Sequence, residues 1–200
     1  MLKKNGQSPL FIASWKGQCD VVKCLLSSGV DINLCNEQGQ SPLFIASAEG
    51  RCDVVKCLLS SGAEINFSDK NGQSPLFIAS WKGQCDVVEC LLSSGGDINV
   101  CSEQGHSPLF IASAEGRCDV VKCLLSSGAE INFSDKKGQS PLFIASLKGQ
   151  CDVVECLLSS GGDINLCNEH GQSPLFIASA EGRCDVVKCL LSSGGEINLC

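Results

Sequence analysis

Two hundred residues, 44% hydrophobic and 18% charged, give a chain with ample apolar content for a folded core, far from the composition of disordered proteins. Fifteen basic against 22 acidic residues leave a formal net charge of −7, which argues against a general nucleic-acid binder and against a basic membrane-surface helix. No apolar run approaches the ~18 residues of a membrane span, and the opening Met1-Leu2-Lys3-Lys4-Asn5-Gly6 has no signal-peptide core, so the chain reads as soluble and untargeted.

In chain order, the string Gly-Gln-Ser-Pro-Leu-Phe-Ile-Ala-Ser begins at Gly6. It returns at Gly39, Gly72, Gly138 and Gly171, and at Gly105 with His106 in place of Gln. The period of 33 residues divides the chain into units 6–38, 39–71, 72–104, 105–137, 138–170 and 171–200. Units 6–38 and 39–71 differ at 10 of 33 positions, whereas 39–71 and 105–137 differ only at Gln40/His106 and Asn71/Lys137. The units therefore alternate between two types.

Each unit is predicted to hold two short helices and a loop. In the first, Ser8-Pro9 starts a helix: the hydroxyl accepts from an orphan backbone N–H and Pro fits the first helical position. Leu10 through Trp15 continue it and Gly17 ends it. Cys19-Asp20 opens the second helix, with Asp placed favourably in the first turn, and Val21, Val22, Cys24, Leu25 and Leu26 make its apolar stripe. Ser27-Ser28-Gly29 stops it, and Val30 to Gln38 runs as an extended, turn-rich loop. Helices shorter than ~12–15 residues are marginal alone, so each unit must bury its apolar face against the next.

A 33-residue unit of loop plus two helices, reading Ser8-Pro9-Leu10-Phe11, Gly17, Val21-Val22, Leu25-Leu26, Gly29, Asp31 and Asn33, resembles the ankyrin repeat. The resemblance recurs six times over nearly the whole chain. It implies an all-α fold: an α-solenoid of stacked helix-turn-helix repeats with extended finger connections, one array over residues 1–200 with no second domain. At a helix spacing of about 10 Å, six repeats would form a curved rod roughly 60 Å long. The family commonly has a His that joins a hydrogen-bond network between repeats. Here Phe stands there, at positions 11, 44, 77, 110, 143 and 176, so apolar stacking is expected to replace that bridging.

The 16 cysteines follow the repeat. One opens each second helix (Cys19, Cys52, Cys85, Cys118, Cys151, Cys184), one follows five residues later (Cys24, Cys57, Cys90, Cys123, Cys156, Cys189), and Cys35, Cys101, Cys167 and Cys200 lie in loops. The C-x₄-C spacing is not that of a zinc site. Five helical residues rise about 7.5 Å, beyond the ~7 Å reach of a disulfide, and equivalent cysteines of neighbouring repeats are a repeat spacing apart. The helical cysteines are therefore expected to be small buried hydrophobes and the loop cysteines to be exposed. Abundant reduced cysteine points to a reducing, intracellular and cytoplasmic setting.

The copies vary among themselves at the ends of the first helices and at the loop tips. Positions fixed by packing tolerate little change, so these sites read as solvent-facing, and the resemblance puts them on a concave face that holds a partner protein. The candidates are Trp15, Lys16, Glu37, Gln38, Glu49, Lys70, Trp81, Lys82, Glu103, Gln104, His106, Glu115, Lys136, Lys137, Lys148, Glu169, His170 and Glu181. Their charges alternate by repeat: Lys4 with Lys16, Glu37 with Glu49, Lys70 with Lys82, Glu103 with Glu115, Lys136 and Lys137 with Lys148, Glu169 with Glu181. Such bands could hold a partner in register or could pair with one another across stacked repeats, Lys16 with Glu49 and Glu49 with Lys82. Trp15 and Trp81 are either binding anchors or lids over a neighbouring helix.

No catalytic constellation is visible. The Asp20-type acids read as helix-start residues, neither His recurs, and the glycines are loop punctuation. The expected function is a non-enzymatic scaffold that binds a protein, with no cofactor, metal, nucleic acid, membrane insertion or small-molecule substrate. The alternatives are a thiol-based redox sensor or metal-binding protein on the same fold, and the targeting segment of a larger enzyme, receptor or channel. Neither end repeat carries a polar outer face, so Leu175, Leu190 and Leu191 are expected to be partly exposed and repeats one and six to fray.

Overall fold

The computed structural model of the chain describes residues 6–197; Lys4 and Cys200, both named above, lie outside them. Among the described residues there are twelve α-helices and no strand. They form two compact units that divide between Glu103 and Gln104. The first unit holds α1 (Pro9–Lys16), α2 (Cys19–Ser27), α3 (Pro42–Ala48), α4 (Cys52–Ser60), α5 (Pro75–Lys82) and α6 (Cys85–Ser93). The second holds α7 (Pro108–Ala114), α8 (Cys118–Ser126), α9 (Pro141–Lys148), α10 (Cys151–Ser159), α11 (Pro174–Ala180) and α12 (Cys184–Ser192). Within the first unit α1, α3 and α5 pack in succession, α2, α4 and α6 do likewise, and each first helix packs on the second helix of its own repeat. The second unit has the same arrangement, α7, α9 and α11 lying against α8, α10 and α12.

Local chemistry starts and stops the helices where the sequence places them. Ser8 Oγ accepts from the Phe11 N–H at 3.1 Å with Pro9 at the first helical position, and Ser41, Ser74, Ser107, Ser140 and Ser173 repeat the cap. The second helices have no side-chain cap at their start. The residue at that position reaches instead to the preceding repeat. Arg51 Nε donates to the Trp15 carbonyl at 3.3 Å and Gln84 Nε2 to the Ala48 carbonyl at 3.4 Å. In the second unit Gln150 Nε2 donates to Ala114 and Arg183 Nε to Leu147. Each bond satisfies a carbonyl left orphaned at the end of a first helix.

The fingers are built by an Asn or Asp. Asn36 Oδ1 accepts from the backbone N–H groups of Gln38 and Gln40, and Asp69 Oδ1 from those of Asn71 and Gln73. Asp135 and Asn168 act alike. Successive tips are joined through the backbone: Lys70 N–H donates to Gln38 O and Glu103 N–H to Asn71 O in the first unit, and Lys136 N–H to Gln104 O and Glu169 N–H to Lys137 O in the second.

The core runs between the two helix layers, where Leu43, Val55, Leu58 and Leu76, and then Leu109, Val121, Leu124, Leu142 and Leu157, are essentially fully buried. The Phe substitution is met by apolar packing. Phe44 and Ala48 pack with Ile78 and the half-buried Trp81, and Phe110 and Ala114 with Ile144 and Leu147. Part of the variation among repeats is thus core rather than surface: a small Ala48 or Ala114 faces a large Trp81 or Leu147.

Two expectations are corrected. The helical cysteines are not a buried set: Cys90 is buried, Cys24 and Cys184 are exposed, and the others are half-buried, as are the described loop cysteines. The reason is angular. At about 100° per residue, the buried arc of α4 is Val54, Val55 and Leu58, and Cys52 and Cys57 fall about 140° apart on its two flanks. In the sixth repeat Leu175 and Leu190 are buried, because α11 and α12 still pack on each other and on α9 and α10. Leu191 is exposed as expected, at 43%, and Phe176, at 44%, and Ile197 are exposed apolar side chains there as well.

Candidate protein-binding surface

The candidate side chains stand on two supports, the ends of the first helices and the tips of the fingers. In the first unit Lys16, Glu49 and Lys82 end α1, α3 and α5, and Glu37, Gln38, Lys70 and Glu103 occupy the tips; all are exposed. Trp15 is 43% exposed. Trp81 is half-buried, edge-on to Phe77 with ring centroids 6.4 Å apart, and the Lys82 ammonium lies 5.4 Å over its ring.

In the second unit Gln104, Glu115, Lys136, Lys137, Lys148, Glu169, His170 and Glu181 are exposed. His170 Nε2 lies 3.6 Å from Glu169 Oε1. His106 is turned inward. Its ring stacks on Phe110 with centroids 4.4 Å apart, and Nε2 is 3.5 Å from Asp135 Oδ2. Burial holds its pKa below the ordinary histidine value, against an opposing pull from Asp135.

Among the described residues, Lys16, Glu49 and Lys82 form no ion pair with one another. All three are exposed on backbones held by the cross-repeat bonds, with the Lys82 ammonium over the Trp81 ring. No group of three or more His, Cys, Asp or Glu side chains that could hold a metal ion occurs among the described residues. No helix among them is long and apolar enough to cross a membrane.

A family model described as ankyrin repeats (3 copies) matches residues 10–102, 43–135 and 109–199. The chain belongs to the ankyrin-repeat family. Ankyrin repeats serve generally as protein–protein interaction modules, and the helix pairs and fingers here are the framework of such a module. No curated protein matches the chain at a significant level.

The second helices of these ankyrin repeats carry a feature that spacing arguments within one repeat could not reach. Cys19, Cys52 and Cys118 Sγ each donate to a carbonyl of the next repeat's second helix, Asp53, Asp86 and Asp152, one turn before Cys57, Cys90 and Cys156. Burial is the main cause that pushes Cys57, Cys90 and Cys156 above the ordinary thiol value, each partner cysteine adds to it, and Lys23, Lys56 and Lys122 pull back. The signal was present in the period itself. Cysteines five residues apart face opposite neighbours, so the first cysteine of one repeat meets the second of the next.

Proposed function

We propose that the chain is a non-enzymatic scaffold that docks a protein partner along the first-helix ends and finger tips. The observation that carries this reading is the row of exposed charges of alternating sign at Lys16, Glu49 and Lys82, not paired with one another, on a backbone that neighbouring repeats hold in place. A partner with the matching alternation would gain register and association rate more than raw affinity. Trp15 supplies an apolar anchor at one edge of the row. The same reading takes the six repeats as one array, since the 33-residue period continues without insertion through residues 103 and 104. The cysteine-rich composition supports a reducing, intracellular, cytoplasmic setting.

The test is charge reversal by face. Glu49→Lys, Glu115→Lys and Glu181→Lys together are expected to abolish capture of a partner that the parent chain retains, with the unfolding midpoint nearly unchanged. Lys23→Glu, Lys56→Glu and Lys122→Glu on the second helices are expected to leave capture intact. Equal loss from both sets would overturn the assignment of the face.

A further inference from the structure

Three cysteine pairs on the second helices are independent of the partner-binding reading and carry a chemistry of their own. Cys19 Sγ lies 3.9 Å from the Asp53 carbonyl, Cys52 Sγ 3.9 Å from that of Asp86, and Cys118 Sγ 3.8 Å from that of Asp152. Each carbonyl belongs to the second helix of the following repeat, one turn before Cys57, Cys90 and Cys156 respectively. The second thiol of each pair is pushed up in part by the first, as neighbouring thiols are. The same register thus sets the first cysteine of a pair beside the helical turn that leads to the second, three times over.

Two further observations bear on reactivity. Cys24 and Cys184 are the exposed cysteines among those described. Cys57 and Cys156 remain reachable: each lines an open groove between neighbouring second helices, of about 440 and 410 Å³, together with Lys23 and Lys122. A small disulfide fits such a groove, and the neighbouring ammonium offsets part of the burial that raises these thiols.

We propose that Cys19–Cys57, Cys52–Cys90 and Cys118–Cys156 are oxidisable dithiols that a low-molecular-weight disulfide closes into bonds between neighbouring repeats. One cysteine of a pair attacks the small disulfide RSSR as thiolate and releases RS⁻. The second cysteine then attacks the mixed disulfide at the protein sulfur and releases the other RS⁻. Two protein thiols and RSSR become one protein disulfide and two RSH; two electrons and two protons pass to the small molecule. The bonds link α2 to α4, α4 to α6 and α8 to α10, on the helices that do not carry the candidate partner face. Cys151 and Cys189 are left out: Glu155 stands where the other pairs have Lys, and its charge pushes both thiols up.

The test uses the full chain, reduced, then treated in dilute solution with oxidised glutathione, alkylated and weighed intact. The parent is expected to lose two hydrogens per closed pair and to melt at a higher temperature than its reduced form. Cys19→Ser, Cys52→Ser and Cys118→Ser are each expected to lose one closure, and Cys19→Ser and Cys118→Ser to gain one glutathione adduct on the orphaned partner. Cys57→Ser is expected to repeat the Cys19→Ser result from the other helix, and Cys24→Ser to lose no closure. Adducts without closures in the parent, or undiminished closure in both Cys19→Ser and Cys57→Ser, would overturn the proposal. Circular dichroism of each reduced variant shows that the helices are intact before oxidation.

Discussion

Ser14, Ser47, Ser80, Ser113 and Ser146 are fully buried on the first helices, and their hydroxyls have no hydrogen-bond partner among the described residues. A buried hydroxyl left unmade costs about 1–3 kcal/mol, and Ala is the better helix former. Ser80→Ala and Ser146→Ala are therefore expected to raise stability by about 1 kcal/mol each, measured by urea unfolding. Ser179 is the contrast: it is exposed and donates to the Leu175 carbonyl at 2.8 Å, so Ser179→Ala should be near neutral. His106 gives a pH signature at the same scale. Its folded pKa lies below the ordinary value of 6.5, so the folded state binds the proton less well than the unfolded chain. Its contribution is present above about pH 6.5 and is lost as pH falls through that value towards the lower folded one. The parent should lose stability more steeply than His106→Gln on acidification from pH 7 to about 5, since Gln fills this position in the sister repeats.

At the scale of the element, the ends of the first helices decide how repeats join. Gly50 has φ +68° and its position is crowded: a Cβ there would collide with the Gln84 side chain, whose amide donates to the Ala48 carbonyl. Gly62 has φ +91° with nothing within 4 Å of a Cβ. Both substitutions to Ala meet the left-handed strain of about 1–2 kcal/mol. Gly50→Ala should also displace the cross-repeat bond and cost about 1 kcal/mol more, a difference that paired denaturation curves resolve. Such bonds were not foreseeable from one repeat. Arg51 and Gln84 look like polar residues before a helix, and only the next helix end reveals their acceptor.

For the molecule as a whole, stability resides in contacts between adjacent repeats, so burial in the sixth repeat differs from that in the interior. Phe143 is 1% exposed and Phe176 is 44% exposed. Phe143→Ala should cost about 3–5 kcal/mol, whereas Phe176→Ala should cost about 1 kcal/mol. By the same logic amides of α11 and α12 should exchange faster than those of α9 and α10 in native-state hydrogen exchange, and uniform protection would contradict it. Phe176, Leu191 and Ile197 are the large apolar side chains left uncovered in that repeat, while Leu175 and Leu190 are buried.

The repeat period, the Ser-Pro helix starts and the left-handed glycine stops are local facts. Neighbours along the chain determine them, so residue order alone was enough to give the helix pairs and the family. Exposure of the first-helix and finger charges was also readable, because those positions vary while capping positions do not. The inward turn of His106, the burial of Ala48 and Ala114, and the meeting of Cys19 with Cys57 belong to the tertiary structure. Each depends on the register in which one repeat is set against the next, which brings unlike positions together, and a comparison of like positions down the repeats passes over them.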